Sequence, residues 1–215
     1  MLGKSISIKG IIIAIIFVTL GFTQVSLEIK NVDLTAGTLD IYMTNTAACS
    51  YCEESTYNNN TQNWVEKKEL CENPSSGDTT WVAYAQITEV ECAAVPSLDG
   101  NGGWWFDGSI GGYQFFIKGI TITEISGGST DEYLSEPLLN PNADCDGDGV
   151  ADEGCNLIVA FSFTDGYIPA GDNALLLSVS FTDFVSSVCF DATDKAGETI
   201  GSWSGPTLSD INGKS

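Results

Sequence analysis

The feature that most constrains the fold is a series of short runs in which apolar and polar residues alternate. Successive side chains of a β-strand point to opposite faces, so each run predicts a strand that buries one face and exposes the other. Four runs show the pattern clearly, with apolar faces made by Leu39, Ile41 and Met43; by Tyr113, Phe115 and Ile117; by Leu157, Val159, Phe161 and Phe163; and by Leu175, Leu177, Val179 and Phe181.

Further strands are predicted elsewhere in the chain, with turn residues between them. The additional candidates are 25–29, 81–87, 119–125 and 188–192. Residues 63–71 give only a weak helical signal. Many short strands separated by Gly, Asn, Asp and Ser are typical of a β-sandwich or barrel. We therefore predict an all-β fold, a single β-sandwich domain over residues 24–215 with a cysteine-rich insertion at about 47–108 and an acidic insertion at about 129–155.

The N-terminus has the features of a signal peptide. Lys4 and Lys9 accompany an apolar stretch, residues 10–22, that is too short to span a bilayer comfortably. Small residues near Thr23 fit a cleavage site, so residues 1–23 are predicted to be removed and the remainder to be secreted. The alternative is that this segment stays attached as a membrane anchor.

The chain has seven cysteines, and an exported protein with several cysteines is expected to form disulfides. Cys145 and Cys155 bracket part of the acidic insertion, and we predict that they pair with each other. Because seven is an odd number, at least one cysteine is left over or pairs with another molecule, and Cys189 is the candidate. The four cysteines of the first insertion allow three pairings, which the sequence leaves open: Cys49, Cys52, Cys71 and Cys92.

Charge and composition exclude several functions. The chain has 29 acidic residues, eight lysines, no arginine and no histidine, for a formal net charge of −21. Binding to nucleic acid depends on Lys and Arg side chains that neutralise phosphates, so no nucleic-acid partner is expected. Without histidine, Ser–His–Asp and Cys–His catalysis is impossible, and the common zinc sites are disfavoured. Glycoside hydrolysis needs only two carboxylates, but no pair is marked in the sequence. We predict that the protein is not an enzyme.

The strongest local motif is DCDGDGVADEGC, which runs from Asp144 to Cys155. It has the spacing of an EF-hand calcium loop, including the glycine at the sharp turn. Carboxylates this close together repel one another unless a cation lies among them. We therefore predict Ca²⁺ as a bound cofactor. The ligand positions 1, 3, 5, 7 and 9 of such a loop fall on Asp144, Asp146, Asp148, the carbonyl of Val150, and Asp152.

The last ligand position of the loop departs from the pattern, because Cys155 stands where an acidic ligand is usual. Glu153 is predicted to complete the shell, with Asn156 or a residue from elsewhere as alternatives. No flanking helix pair is apparent, so the site is expected to be structural rather than a switch. The segment resembles the calcium loops of thrombospondin type 3 repeats and dockerins. The competing interpretation is an empty acidic turn held by the disulfide alone.

Several strand motifs together carry a wider resemblance. They are GTLDIYMTN (37–45), GGYQFFIKGITITEISGG (111–128), IPAG (168–171) followed by LLLSVSF (175–181), and VCFDATDKAGETI (188–200). In this order they resemble the cohesin-like modules of exported bacterial proteins. The resemblance implies a jelly-roll-like β-sandwich and a role in protein–protein docking, often to dockerins, with related folds serving as carbohydrate-binding modules. The two insertions depart from a compact cohesin.

Aromatic residues in the first insertion are a second candidate site. Trp104 and Trp105 lie in the run GGWWFDG, and exposed tryptophans stack on sugar rings and form protein hot spots. The alternative is that they fill a small core.

We therefore predict a secreted, calcium-stabilised adhesion or scaffolding module with an extracellular protein partner. The alternatives are a carbohydrate-binding module that uses Trp104 and Trp105, and a structural subunit of an extracellular filament or particle.

Overall fold

The computed structural model describes residues 25–53, 71, 80–96, 102–145, 149–190 and 207–209. In these ranges the chain consists mostly of antiparallel β-strands with few helical residues. The helices with described bounds are α1 (Glu89–Ala93) and α2 (Gly128–Tyr133). The strands are β1 (Val25–Asp33), β2 (Thr38–Asn45), β3 (Ala48–Cys52), β4 (Trp81–Ala85), β5 (Trp104–Phe106), β6 (Gly112–Lys118), β7 (Thr121–Ser126), β8 (Leu138–Pro141), β9 (Cys155–Phe161), β10 (Gly171–Thr182), β11 (Cys189–Phe190) and β12 (Thr207–Ser209).

Two of the sheets contribute to one apolar core. The four-stranded sheet has the order β1-β2-β10-β7, and the five-stranded sheet has the order β11-β6-β9-β8 with β12 also paired to β6. Ile41 and Leu177 of the first sheet, and Phe115 and Ile158 of the second, belong to the same buried cluster. The predicted β-rich, disulfide-containing fold is therefore confirmed at this level.

The predicted strand phase is correct for β2 and β6. Leu39, Ile41 and Met43 are buried, whereas the residues between them are partly exposed. In β10 a register shift between Leu175 and Leu177 interrupts the alternation. Strict alternation thus marks the inward face wherever the outward residues are polar.

The predicted phase of β9 is wrong. Asn156, Ile158 and Ala160 are buried, whereas Val159 is only partly buried and Phe161 is exposed. The inward-facing residues begin with the polar Asn156, whereas the outward-facing residues are all apolar. A prediction based on hydrophobicity therefore assigned the wrong face to the core. The apolar residues at 157, 159 and 161 consequently lie on the outer face of the five-stranded sheet.

A compact turn joins β1 to β2 and closes against the core. The Asp33 carboxylate accepts hydrogen bonds from the backbone N–H groups of Thr35 (2.8 Å) and Ala36 (2.9 Å). The bond from Ala36 and then that from Thr35 lower the pKa of the Asp33 carboxyl, because both favour the ionised form. Gly37 adopts a φ of 68° and its carbonyl accepts a hydrogen bond from the N–H of Phe181. A side chain at this glycine would collide with the Phe181 carbonyl.

The first cysteine-rich stretch forms a separate three-stranded sheet with the order β4-β3-β5. Two disulfides show which of the three possible pairings of the four cysteines in the first insertion is formed. Cys49 of β3 is bonded to Cys92 of α1, and Cys52 is bonded to Cys71. Both cysteines of β3 are therefore tied to segments that are distant in sequence, which stabilises a small sheet that has only a limited apolar core of its own.

The phase of β9 can be tested by two matched truncations. Ile158→Ala removes a fully buried side chain and is expected to lower the free energy of unfolding by about 3 kcal/mol, whereas Val159→Ala on the outer face costs about 1 kcal/mol. Urea denaturation of both variants measures the difference. A larger loss from Val159→Ala would contradict the inward assignment of Ile158.

Candidate functional site

The acidic loop connects β8 to β9, two neighbouring strands of the five-stranded sheet. The N–H of Ala143 donates to the carbonyl of Cys155 at 2.8 Å, which extends the pairing of the two strands into the loop. The N–H of Gly154 donates to the side-chain oxygen of Asn142 at 3.2 Å. Both ends of the loop are therefore fixed by the sheet from which it emerges.

A disulfide crosses the loop. Cys145 and Cys155 are bonded, both are buried, and their Cα atoms are 6.3 Å apart. This is the pair that the sequence predicts. The bond holds the beginning of the acidic segment against the first residue of β9, so the intervening residues form a closed ring.

Asp144 has one carboxylate oxygen engaged and one unengaged. Its Oδ2 accepts a hydrogen bond from the N–H of Gly149 at 2.8 Å. Its Oδ1 is buried and has no hydrogen-bond partner. Gly149 has a φ of 90°, which favours glycine at this position. The backbone of the turn therefore orients the Asp144 carboxylate and leaves its second oxygen available to a cation.

Asp152 is attached to the same part of the loop. Its Oδ2 accepts a hydrogen bond from the N–H of Cys145 at 2.8 Å, and its own N–H donates to the carbonyl of Ala143 at 3.1 Å. These bonds bring the carboxylate of Asp152 to the residue that follows Asp144. The structure thus brings together two of the predicted ligands, which are eight positions apart in sequence.

The other predicted calcium ligands are either exposed or outside the described residues. Val150 and Glu153 both lie exposed on the loop. Asp146 and Asp148 fall outside the described residues. Among the residues that are described, no group of three or more Cys, Asp or Glu side chains is close enough to hold a metal ion.

Both ends of the Asn156 amide are engaged by backbone groups, so this side chain is not available as a calcium ligand. Its Nδ2 donates to the carbonyls of Ile120 (2.8 Å) and Ile117 (3.2 Å), and its Oδ1 accepts from the N–H of Ile122 (3.3 Å). The side chain is fully buried. It therefore fastens the turn between β6 and β7 to the start of β9, next to Cys155.

Removal of this amide should destabilise the protein. We expect Asn156→Ala to lower the free energy of unfolding by about 2–3 kcal/mol, because it leaves buried backbone groups without partners. Asn140→Ala, at an exposed position of β8, is the control. Urea denaturation of the two variants measures the effect, and equal stabilities would show that water replaces the amide without cost.

The two candidate tryptophans lie on opposite faces of β5. Trp104 pairs with Ser50 and Trp105 pairs with Cys49, and adjacent residues of a strand point to opposite sides. Both are partly buried. Ser50 and Cys49 are both fully buried, so each tryptophan lies beside a buried residue of β3. A single flat platform made of both indoles is therefore not formed.

Disulfide content bears on the cellular compartment. The described chain contains three disulfides, and Cys189, which is exposed, takes part in none of them. Such a number is typical of a protein from an oxidising, often extracellular environment. Within the described ranges, no helix has the length and apolar character needed to cross a bilayer. The predicted signal peptide, residues 1–23, lies outside the described residues.

Comparison with protein-family models, with curated proteins and with solved structures gives no match. The cohesin-like resemblance therefore stays a prediction from motifs.

Sequence reasoning missed one group of exposed apolar side chains. Leu138, Phe161 and Phe163 lie at the end of β9 that is opposite to the acidic loop. The sequence placed the two phenylalanines on the buried face of their strand. No sequence signal marked them, because the inward-facing residues of β9 begin with the polar Asn156 and its outward-facing residues are apolar.

Proposed function

We propose that the protein is an extracellular binding module with a jelly-roll-like β-sandwich fold, whose acidic loop is held in shape by Ca²⁺. It acts by docking a partner, as a scaffolding or adhesion module does, and not by catalysis. The partner is an extracellular polypeptide. The observation that carries this proposal is the carboxylate of Asp144, with one oxygen fixed by Gly149 and the other buried and unengaged.

Electrostatics support a cation at this position. A buried carboxylate oxygen without a partner costs free energy, and at an effective dielectric constant of about 20 two unit charges about 4 Å apart interact with roughly 4 kcal/mol. Asp152 lies close to Asp144 through its bond to Cys145, and the motif adds two further aspartates in the same turn. Calcium is a hard cation that accepts carboxylate and carbonyl oxygens in loose geometry. The residues that would hold it are Asp144, Asp146, Asp148 and Asp152, with the Val150 carbonyl and Glu153.

Composition and architecture support a binding role. The chain lacks histidine, which removes the commonest general base and nucleophile activator. Two antiparallel sheets contribute to one core, as a sandwich requires. Three disulfides suit a module that works outside the cell. The order of the strand motifs, which resembles cohesin-like modules, adds protein–protein docking as the specific role.

Calcium should stabilise the folded chain. We expect saturating Ca²⁺ to raise the melting temperature by several degrees, because a ligand that binds only the folded state shifts the unfolding equilibrium. Asp146→Ala and Asp144→Asn should each remove most of that rise, since each removes a charged ligand from the shell. Differential scanning calorimetry with Ca²⁺ and with a chelator measures the effect.

Two controls separate a specific site from general charge screening on a chain of net charge −21. Mg²⁺ at the same concentration should give a smaller rise, because it prefers a stricter octahedral geometry. Glu124→Gln, which removes an exposed acid outside the loop, should leave the response to Ca²⁺ unchanged. A melting curve of the wild-type protein that is identical with and without chelator would refute the calcium loop.

The carbohydrate-binding alternative makes a different prediction. Trp104 and Trp105 are both partly buried and lie on opposite faces of β5, each beside a fully buried residue of β3. If the protein binds glycans through one of these indoles, either Trp104→Ala or Trp105→Ala should abolish signals on a glycan array. Absence of any glycan signal from the wild-type protein would eliminate this alternative.

The filament alternative instead requires concentration-dependent polymers in sedimentation experiments.

A further inference from the structure

The outer face of the five-stranded sheet ends in exposed apolar side chains. Leu138 of β8 lies opposite Val159 of β9, and Phe161 follows two residues later on the same face. Leu138 is 62% exposed and Phe161 is 37% exposed. Most exposed faces of antiparallel sheets carry polar residues, so this arrangement requires an explanation.

A rigid turn adds a third apolar side chain. The hydroxyl oxygen of Ser162 accepts hydrogen bonds from the N–H groups of Thr164 (3.2 Å) and Gly166 (2.8 Å). Phe163, which directly follows Ser162, has 78% of its surface exposed, and its ring centroid lies 4.6 Å from that of Phe161 in an edge-to-face arrangement. Leu138, Phe161 and Phe163 form what we call the aromatic patch.

Acidic residues lie in the two chain segments that adjoin the aromatic patch. The N–H of Ser135 donates to the carbonyl of Phe161 at 3.2 Å, so the segment that follows α2 lies against the end of β9. Exposed Glu132 and Glu136 flank this contact, and exposed Asp165 lies in the turn that presents Phe163.

Positive charge is remote from the patch in the described part of the chain, where the lysines are Lys30 and Lys118. Lys30 belongs to β1 of the other sheet. Lys118 is at the end of β6 that pairs with Cys155, about 20 Å along the strand from the end that pairs with Phe161. Among the described residues, the charged side chains nearest to the patch in the chain are therefore acidic.

We propose that the aromatic patch docks a basic polypeptide segment that carries an apolar anchor residue. This inference rests on the proposed function as a binding module and specifies its partner. Acidic residues beside apolar side chains are complementary to a partner segment in which Lys or Arg side chains accompany an apolar residue. The net charge of −21 accelerates the approach of such a cationic partner. The same charge repels a second copy of this chain.

The first experiment measures binding of a fluorescently labelled amphipathic peptide composed of leucine and lysine, by anisotropy. Phe163→Ser should raise the Kd at least roughly tenfold, because it removes the most exposed ring of the patch. Val185→Ser is the matched control, since Val185 is also 78% exposed but lies in a loop bonded to Gly119, near the opposite end of the sheet. Equal Kd values for the two variants would overturn the proposal, because they would show only general attraction to an acidic chain.

The second experiment tests the acidic residues beside the patch. Glu132→Gln combined with Glu136→Gln should weaken binding several-fold and flatten its dependence on salt. The control is Glu53→Gln combined with Glu124→Gln, which removes the same charge from exposed positions elsewhere. Equal weakening by both pairs, or equal binding of a peptide with glutamate in place of lysine, would overturn charge complementarity.

Other occupants give distinct results that also overturn the proposal. Binding of a neutral glucan that is lost in Phe163→Ser would assign the patch to carbohydrate. Self-association in sedimentation experiments that is lost in Phe163→Ser would assign it to a second copy of the chain. The response of the melting temperature to Ca²⁺, measured on the same proteins, distinguishes failure of the docking proposal from failure of the calcium proposal. A normal calcium response without peptide binding refutes the docking patch alone, whereas peptide binding without a calcium response refutes the calcium loop alone.

Discussion

Ile41 and Leu177 from one sheet and Phe115 and Ile158 from another lie in a single apolar cluster, and the position of every other feature depends on that burial. Each fully buried side chain of this size contributes roughly 1.5–3 kcal/mol. With the central strands fixed in this way, β9 runs from the acidic loop to the aromatic patch. The acidic loop precedes its first residue and the aromatic patch lies at its last.

Asn156 at the start of β9 and Asp144 in the preceding loop have different consequences. Asn156 points inward, and backbone groups of the turn between β6 and β7 satisfy both ends of its amide. Asp144 belongs to the loop, and Gly149 satisfies only one of its two oxygens. The first arrangement completes the interior and leaves nothing to bind. The second leaves an oriented anionic atom, which is the property expected of a cation ligand.

The strand content and the inward face of β2 could be predicted because polar residues occupy the outward positions of that strand. The phase of β9 could not, because Asn156 starts its buried row and apolar residues line its outer face. The short strands β3, β5 and β8 carry no alternating pattern that is long enough to detect. The acidic loop predicted the Cys145–Cys155 disulfide, which the structure contains, and the calcium ligands, which stay a prediction. In contrast, the partners of Cys49 and Cys52 depend on how distant segments meet, which local sequence does not encode.

None of the residues in the main apolar cluster is a cysteine, and the three disulfides of the described residues involve the three-stranded sheet or join the acidic loop to the first residue of β9. Burial of the main apolar cluster therefore does not itself require oxidation of a thiol, whereas the three-stranded sheet and the acidic loop are held by disulfides. Reducing agents should therefore destabilise the three-stranded sheet and the acidic loop before they affect the main apolar core.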